Sequence, residues 1–181
     1  MAKRAARVLD EYLVAAARVG DRRAFTMLAE RWQGKLVAHA WRLTGDADVA
    51  RDAAQAAWVD IVRGIKQLQD ERAFPAWAYR IVSRRCAGLI KAAVRGRELG
   101  QALTELPEED SVQPEDALDR ARLRTAIAAL PPGQKSAIAL FYLDEMSVAE
   151  VAVALDIPAG TVKTRLMHAR GKLRAVLEGD E

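Results

Sequence analysis

A long acidic stretch in the middle of the chain sets the strongest limit on its fold. From Glu98 to Asp119 there are eight acidic residues and no Lys or Arg, and the stretch also contains proline and glycine. It has too few large apolar side chains to offset the conformational entropy of ordering it. We therefore predict a linker, residues 98–118, between two domains, residues 1–97 and 119–181. The alternative is a charged surface loop within one domain, although structureless loops of this length are uncommon there.

Both flanking parts are basic and helix-forming. Residues 1–97 hold 19 basic and 10 acidic side chains, and residues 120–181 hold nine basic and seven acidic ones. Of the 181 residues, 51% are hydrophobic but only 6% are aromatic, and alanine is abundant. Alanine favours helices with small cores. The expected fold class is all-α, with two small helical domains joined by an acidic flexible linker.

Several classes of function are not expected. No apolar run is long enough to span a bilayer and no signal-peptide core is visible, which predicts a cytoplasmic protein without membrane insertion. Cys86 has no partner for an internal disulfide, and with only His39 and His168 beside it a metal site is not expected. Because no nucleotide-binding or nucleophile motif is present, we expect no cofactor and no catalysis. Cys86 is interpreted either as a small core residue or as a redox sensor.

Apolar residues at helical spacing predict four helices in the N-terminal part. Asp21 is a suitable N-cap for the second helix, Gly45 lies in the break after it, and the third helix begins near Asp48. The fourth begins between Glu71 and Pro75. The predicted apolar positions of these four helices are, in order, Leu9, Leu13, Ala16 and Ala17; Phe25, Leu28, Trp32, Leu36 and Ala40; Ala50, Ala54, Trp58, Ile61 and Ile65; and Phe74, Trp77, Ile81, Gly88 or Leu89, and Val94.

The fourth helix is strongly basic. Seven basic residues and no acid lie between Arg72 and Arg97. Like charges repel along a helix, so such a run favours either solvent or a polyanion opposite it. Trp77 and Tyr79 lie among these cations, and aromatic rings beside guanidinium groups are typical of surfaces that bind unpaired bases. A solvated face is the alternative, and Trp77 also fits a position in the core.

The C-terminal part contains a helix-turn-helix pattern. Ser147 and Glu150 form a capping-box pattern at the start of one helix, and the turn at Asp156–Pro158 precedes another. In the last helix, apolar residues lie on one side and cations beside or opposite them. A major groove accommodates such a helix. The alternative is a helical hairpin that packs on a protein.

These residues together resemble the extracytoplasmic-function (ECF) branch of the bacterial sigma factors, the dissociable specificity subunits of RNA polymerase. The C-terminal matches are Leu130–Leu140, Met146–Ala152 and Ile157–Leu173. The N-terminal matches are Asp21–Phe25, Ala50–Gln55 ahead of Trp58, and Phe74–Trp77 followed by Arg80 and Ile81. The two parts, in this order and separated by a linker, are more specific than either part alone.

The resemblance implies a role for each part. The third helix would bind the clamp helices of core RNA polymerase through Asp48, Asp52, Gln55 and Trp58. The segment before and within the fourth helix would bind the melted minus-ten element through Arg72, Phe74, Trp77, Arg80, Arg84, Arg85 and Lys91, with a flipped base near the loop before Phe74. The last helix would bind the double-stranded minus-thirty-five element through Thr161, Lys163, Thr164, Arg165, His168, Arg170 and Lys172, and its hydrophobic side would contact the polymerase flap. An anti-sigma factor is a further implied partner.

Three positions depart from the family pattern. Arg84 replaces a usual asparagine, Gly88 a common acid, and Lys135 a usual arginine. The charge of Arg84 would favour phosphate contact over reading a base edge. Two other functions remain as alternatives: a helix-turn-helix transcriptional regulator with a helical partner-binding domain, and an enzyme that acts on nucleic acid.

Overall fold

A computed structural model describes residues 2–97 and 116–178, and the side chains of residues 5–93 and 121–176. All regular structure in these residues is helical, as predicted. The chain forms two compact units, Met1–Gln101 and Ala102–Glu181. The predicted linker lies outside the described residues except at its end, where a helix already begins at Asp116.

The first unit contains four long helices, and the predicted N-cap at Asp21 and the predicted break at Gly45 are present, while the N-cap at Asp46 was not predicted. The carboxylate of Asp21 accepts hydrogen bonds from the backbone N–H groups of Arg23 and Ala24 at 2.8 and 3.1 Å. Asp46 caps the third helix in the same way, and Gly45, with φ of 69°, ends the second. The helices are α1 (Ala2–Arg18), α2 (Arg22–Thr44), α3 (Ala47–Gly64) and α4 (Phe74–Arg97), with short 3-10 turns at Ile65–Gln67 and Glu71–Ala73 between α3 and α4.

The core of the first unit surrounds α2, which packs on the other three long helices. The Trp32 ring lies edge-on to Phe74 and Tyr79, with ring centroids 5.2 and 5.6 Å apart. The inner face of α3 consists of alanines and Ile61, so its backbone can lie close to its neighbours. The buried face of α4 is Phe74, Ala78, Tyr79, Val82, Ser83 and Cys86, which is rotated from the predicted stripe of Trp77, Ile81 and Leu89.

His39 and Cys86 are titratable groups that lie in this core. His39 Nε2 is 2.9 Å from Ser83 Oγ, and burial, followed by the charge of Arg42, lowers the pKa of His39 to about 3. Cys86 is also buried. Burial raises the pKa of Cys86 to about 11. The thiolate is the reactive form, so these findings favour a small core residue over a redox sensor.

The second unit contains α5 (Asp116–Ala128), α6 (Pro132–Ile138), α7 (Val148–Leu155) and α8 (Ala159–Glu178), with a π-helical turn at Ala139–Leu143 after α6. The predicted capping box is present. Ser147 Oγ accepts from the Glu150 backbone N–H at 3.2 Å, and a Glu150 carboxylate oxygen accepts from the Ser147 backbone N–H at 2.8 Å. Asp156, at φ 55°, turns the chain from α7 into α8. The apolar side of α8 packs on α5, α6 and α7.

Candidate nucleic-acid and polymerase interfaces

One side of α4 is cationic and accessible. Arg84 and Lys91 are exposed, Arg80 is half-buried, and at about 100° per residue all three lie on the side away from the core. Trp77 lies on the same side and is half-buried. The structure therefore brings together four of the predicted minus-ten residues. We call Trp77, Arg80, Arg84 and Lys91 the α4 cationic face.

Two aromatic expectations for α4 need correction. Phe74 is fully buried and Tyr79 is 1% exposed, because both rings pack against Trp32. Neither ring is accessible for stacking on a base in this structure, and Phe74 instead forms part of the wall of the cleft described below. Trp77 differs because its ring lies over the end of α3. A Cβ added at Gly64 would be 2.9 Å from Trp77 Cζ2, so glycine makes room for the ring there.

Arg85 does not lie on the α4 cationic face. It is about 100° around the helix from Arg84, and its guanidinium forms a two-pronged ion pair with Asp60 of α3. Arg85 Nε is 2.7 Å from one Asp60 carboxylate oxygen and Nη2 is 2.6 Å from the other. The pattern of basic residues could not reveal this partner, since Asp60 is distant in sequence.

Arg72 lies before α4, beside a small cleft. Its Nε donates to Asp70 at 3.1 Å, and this hydrogen bond lowers the pKa of Asp70. The cleft lies where the resemblance implies a pocket for a flipped base, but its volume of about 20 Å³ has room for a water molecule and not for a base. The lining residues include Arg7, Asp10 and Glu11 of α1 and Glu71, Arg72 and Pro75.

A continuous outer face of α3 carries the predicted polymerase-binding residues. Asp48, Asp52 and Gln55 are all exposed, and their spacing of four and three residues places them on one side of the helix. Trp58 lies on the flank of this face. Its Nε1 donates to Gln33, and its ring packs edge-on against Phe25 at 5.9 Å.

Val59 and Val62 extend the same face and were missed by sequence reasoning. They are 48% and 53% exposed. Continuing the spacing of Asp48, Asp52 and Gln55 by one helical turn would have found them. We call Asp48, Asp52, Gln55, Val59 and Val62 the α3 outer face.

The exposed side of α8 carries most of the predicted minus-thirty-five residues. Thr161 is half-buried. The exposed members are Lys163, Thr164, His168, Arg170 and Lys172. Met167, at 57% exposure, lies among them and was missed. Met167 follows Lys163 by four residues and Thr164 by three, so helical periodicity could have predicted that it lies on the same side of α8. We call Lys163, Thr164, Met167 and His168 the α8 outer face.

Arg165 and the apolar side of α8 have internal contacts. Arg165 packs against Gly133 of α6, where an added Cβ would be 2.7 Å from Nη1. Val162, Leu166 and Ala169 are buried within the unit. These three residues are not accessible to a polymerase flap, so that expectation for the hydrophobic side of α8 is wrong for its central part.

Comparisons with known proteins match both units. Residues 28–96 match the family model "Sigma-70 region 2" and residues 120–173 match "Sigma-70, region 4". The ECF RNA polymerase sigma factor SigW of Bacillus subtilis is 32% identical, over 87% of this chain and 91% of that protein. The chain belongs to the ECF sigma factors.

Other relatives agree with this assignment. The ECF RNA polymerase sigma-E factor of Escherichia coli K12 is 30% identical, over 89% of this chain and 90% of that protein. The structure of CnrH in complex with the cytosolic domain of CnrY superposes with a TM-score of 0.62 at 27% identity, covering 96% of this chain and 99% of that one. In this ECF sigma factor, region 2 therefore includes both the α3 outer face and the α4 cationic face, and region 4 includes the helix-turn-helix.

The family assignment decides between a sigma factor and a helix-turn-helix regulator. A sigma factor initiates transcription as a subunit of RNA polymerase, whereas a helix-turn-helix regulator acts on a polymerase that already contains a sigma factor.

In the part of the chain that the structure describes, no helix is long and apolar enough to cross a membrane.

Proposed function

We propose that this ECF sigma factor binds core RNA polymerase, recognises two promoter elements through separate units and opens the DNA near the start site, without chemistry of its own. The observation that carries the proposal is that each matched region exposes a cationic helix of a different kind. The α4 cationic face combines cations with Trp77, while α8 presents an exposed polar side opposite a buried apolar one. The site of action would be the cytoplasm, where the polymerase works.

The α4 cationic face is suited to single-stranded DNA. Guanidinium and ammonium groups neutralise phosphates, and a partly exposed indole ring can stack on a base. Arg84 is exposed at the position where the family usually has asparagine, and it would contribute charge rather than base reading. We assign the minus-ten element to Trp77, Arg80, Arg84 and Lys91, and we assign Arg72 to the cleft before α4.

The α8 outer face is suited to duplex DNA. An α-helix fits the major groove, with polar residues near its N-terminal end reaching base edges. Lys163, Thr164 and His168 occupy such positions, and Met167 offers an apolar contact of the kind that thymine methyl groups accept. Arg170 and Lys172 lie further along the helix and would bind phosphates.

The α3 outer face would bind the clamp helices of the polymerase. It combines two carboxylates and an amide with two exposed valines, a mixture of polar and apolar groups typical of protein interfaces. Trp58 would support this face from the flank. We also propose an anti-sigma factor as a partner, by analogy with CnrH, whose solved structure contains the cytosolic domain of CnrY.

Reconstituted transcription tests this function. Purified core polymerase, the full-length protein and genomic DNA of its own organism are combined, and the 5′ ends of the transcripts are sequenced. We expect start sites that are absent with core polymerase alone and that share two sequence elements upstream. A protein that binds the polymerase but selects no start sites, or that acts only when another sigma factor is added, contradicts the proposal.

A further inference from the structure

The ion pair between Asp60 and Arg85 links the two functional helices of region 2. Asp60 lies on α3, next to Val59 of the α3 outer face, and Arg85 lies on α4, next to Arg84 of the α4 cationic face. The carboxylate and guanidinium meet through both oxygens, at 2.6 and 2.7 Å. The pair is therefore well formed although it lies at the surface.

The Asp60 carboxylate and a DNA phosphate both offer Arg85 a pair of anionic oxygen acceptors. A planar guanidinium binds carboxylate and phosphate in the same two-pronged manner. While Arg85 is paired with Asp60, its charge is unavailable to a nucleic acid on α4. The carboxylate thus competes internally with the phosphate backbone.

The exposure of the pair makes exchange between the two anions feasible. The side chains of Arg85 and Asp60 are 45% and 31% exposed. Exposed ion pairs contribute little to stability, whereas a cation that binds a phosphate gains the release of condensed counterions. Because Arg85 is a long and mobile side chain, it can turn toward the α4 cationic face once its partner is lost.

We propose that Asp60 is an affinity-determining residue of the minus-ten surface, which withholds Arg85 from DNA. This inference rests on the proposed function of α4. It gives Asp60 a role in DNA binding although Asp60 need not touch DNA, and it predicts that removing this acid strengthens binding through Arg85 specifically.

A double-mutant cycle tests the inference. The full-length protein and the variants Asp60→Asn, Arg85→Gln and Asp60→Asn/Arg85→Gln are titrated with fluorescein-labelled oligothymidylate at several salt concentrations. We expect Asp60→Asn to bind several-fold more tightly and its salt dependence to steepen by about 0.7 in the log–log slope, the value for one added contact to single-stranded DNA. Arg85→Gln should have little effect in the wild-type background and should abolish the gain in the Asp60→Asn background.

Two controls separate this inference from other outcomes. Glu30→Gln removes one negative charge from an exposed site on α2, and it should produce a smaller gain that Arg85→Gln does not abolish. Arg84→Gln should weaken binding in every background. Equal gains from Asp60→Asn and Glu30→Gln, or equal losses from Arg85→Gln in both backgrounds, overturn the inference.

The outcome for Arg84→Gln distinguishes the inference from the function on which it rests. If Arg84→Gln weakens binding but Asp60→Asn changes nothing, the proposed DNA surface stands and only the role of Asp60 fails. If no variant binds DNA, or Arg84→Gln binds as the wild type does, the proposed function of α4 fails as well. Circular dichroism of each variant verifies that it is folded.

Discussion

The roles of several single residues in this protein do not follow from their chemical type alone. His39 belongs to a residue type that often serves in catalysis, yet it is fully buried and bound to Ser83. Gly64 has no side chain, and this leaves space for the Trp77 ring. Arg85 belongs to the cationic run of α4 but is paired with Asp60. Burial and immediate neighbours decide these roles, and each gives a measurable consequence.

The burial of His39 makes the stability of the first unit depend on pH. Its pKa is about 3 in the folded protein against an ordinary value of 6.5. The unfolded chain therefore binds the proton more readily, and stability is retained above about pH 6.5 and lost as the pH falls toward the folded pKa. Between about pH 7 and pH 5 we expect the free energy of unfolding to fall by about 2 kcal/mol from this group.

Urea unfolding followed by tryptophan fluorescence tests this prediction at each pH. The variant His39→Gln removes the titrating group and should flatten the pH dependence, whatever its effect at neutral pH. The matched variant His168→Gln removes an exposed histidine and should leave the dependence unchanged. A pH dependence that survives His39→Gln would contradict the assignment.

The contact between Gly64 and Trp77 predicts a difference between two glycine substitutions. Replacing glycine by alanine inside a helix gains up to about 1 kcal/mol. Gly34 of α2 has open space around it, so Gly34→Ala should raise the unfolding midpoint. At Gly64 the new methyl group would displace the Trp77 ring, so Gly64→Ala should give no such gain. Equal stabilisation by both substitutions, measured by tryptophan fluorescence, would show that the ring moves freely.

At the scale of the element, the ends of the helices fix which residues face outward. The capping box of Ser147 and Glu150 sets the start of α7, and the turn at Asp156 then sets the start of α8. These two boundaries, together with the buried positions Val162 and Leu166, orient the α8 outer face. Losing a cap therefore affects a surface in which the capping residue takes no direct part.

Removing the cap at Ser147 should weaken the second unit alone. Substitution of such a serine by alanine costs about 1 kcal/mol, so Ser147→Ala should lower the stability of this unit, whereas Ser147→Asp should retain most of it. All four tryptophans lie in the first unit, so their fluorescence is an internal control. The expected result is an earlier transition in circular dichroism with an unchanged fluorescence transition. A shift of both transitions would contradict this prediction.

At the scale of the whole molecule, the proposed function gives one unit two surfaces for different partners. The α3 outer face and the α4 cationic face belong to region 2, and the Asp60–Arg85 pair lies between their helices. Polymerase binding and DNA binding should therefore be separable by mutation. A residue of the α3 outer face, unlike Asp60, can be changed without altering the α4 cationic face.

Val59 provides the test of that separation. Val59→Glu should weaken binding to core polymerase about tenfold or more, because a charge replaces an apolar contact at the interface. Val8→Glu on α1 changes a valine of comparable exposure, 59% against 48%, and should bind normally. Competition with a labelled sigma factor for core polymerase measures both. Oligothymidylate binding should fall only slightly, and equally, in the two variants, because each adds one negative charge. Normal polymerase binding by Val59→Glu would remove the valines from the interface.

Much of the fold was determined by local sequence. Asp21, Ser147 and Gly45 act through hydrogen bonds and backbone angles within a few residues of themselves, and apolar spacing fixes where helices exist. The all-α class, the capping box and the helix-turn-helix were therefore predictable. The charge pattern likewise located the cationic helix and the acidic stretch, and the motifs identified the family.

Only the tertiary structure decided which side of each helix is buried and which charges are paired. In α4 the sequence offered several apolar stripes, and packing against Trp32 buried Phe74 and Tyr79 while Trp77 stayed partly accessible. Asp60 and Arg85 are 25 residues apart, and Gly133 and Arg165 lie on different helices. Their contacts depend on how helices pack, a long-range property that no local periodicity contains.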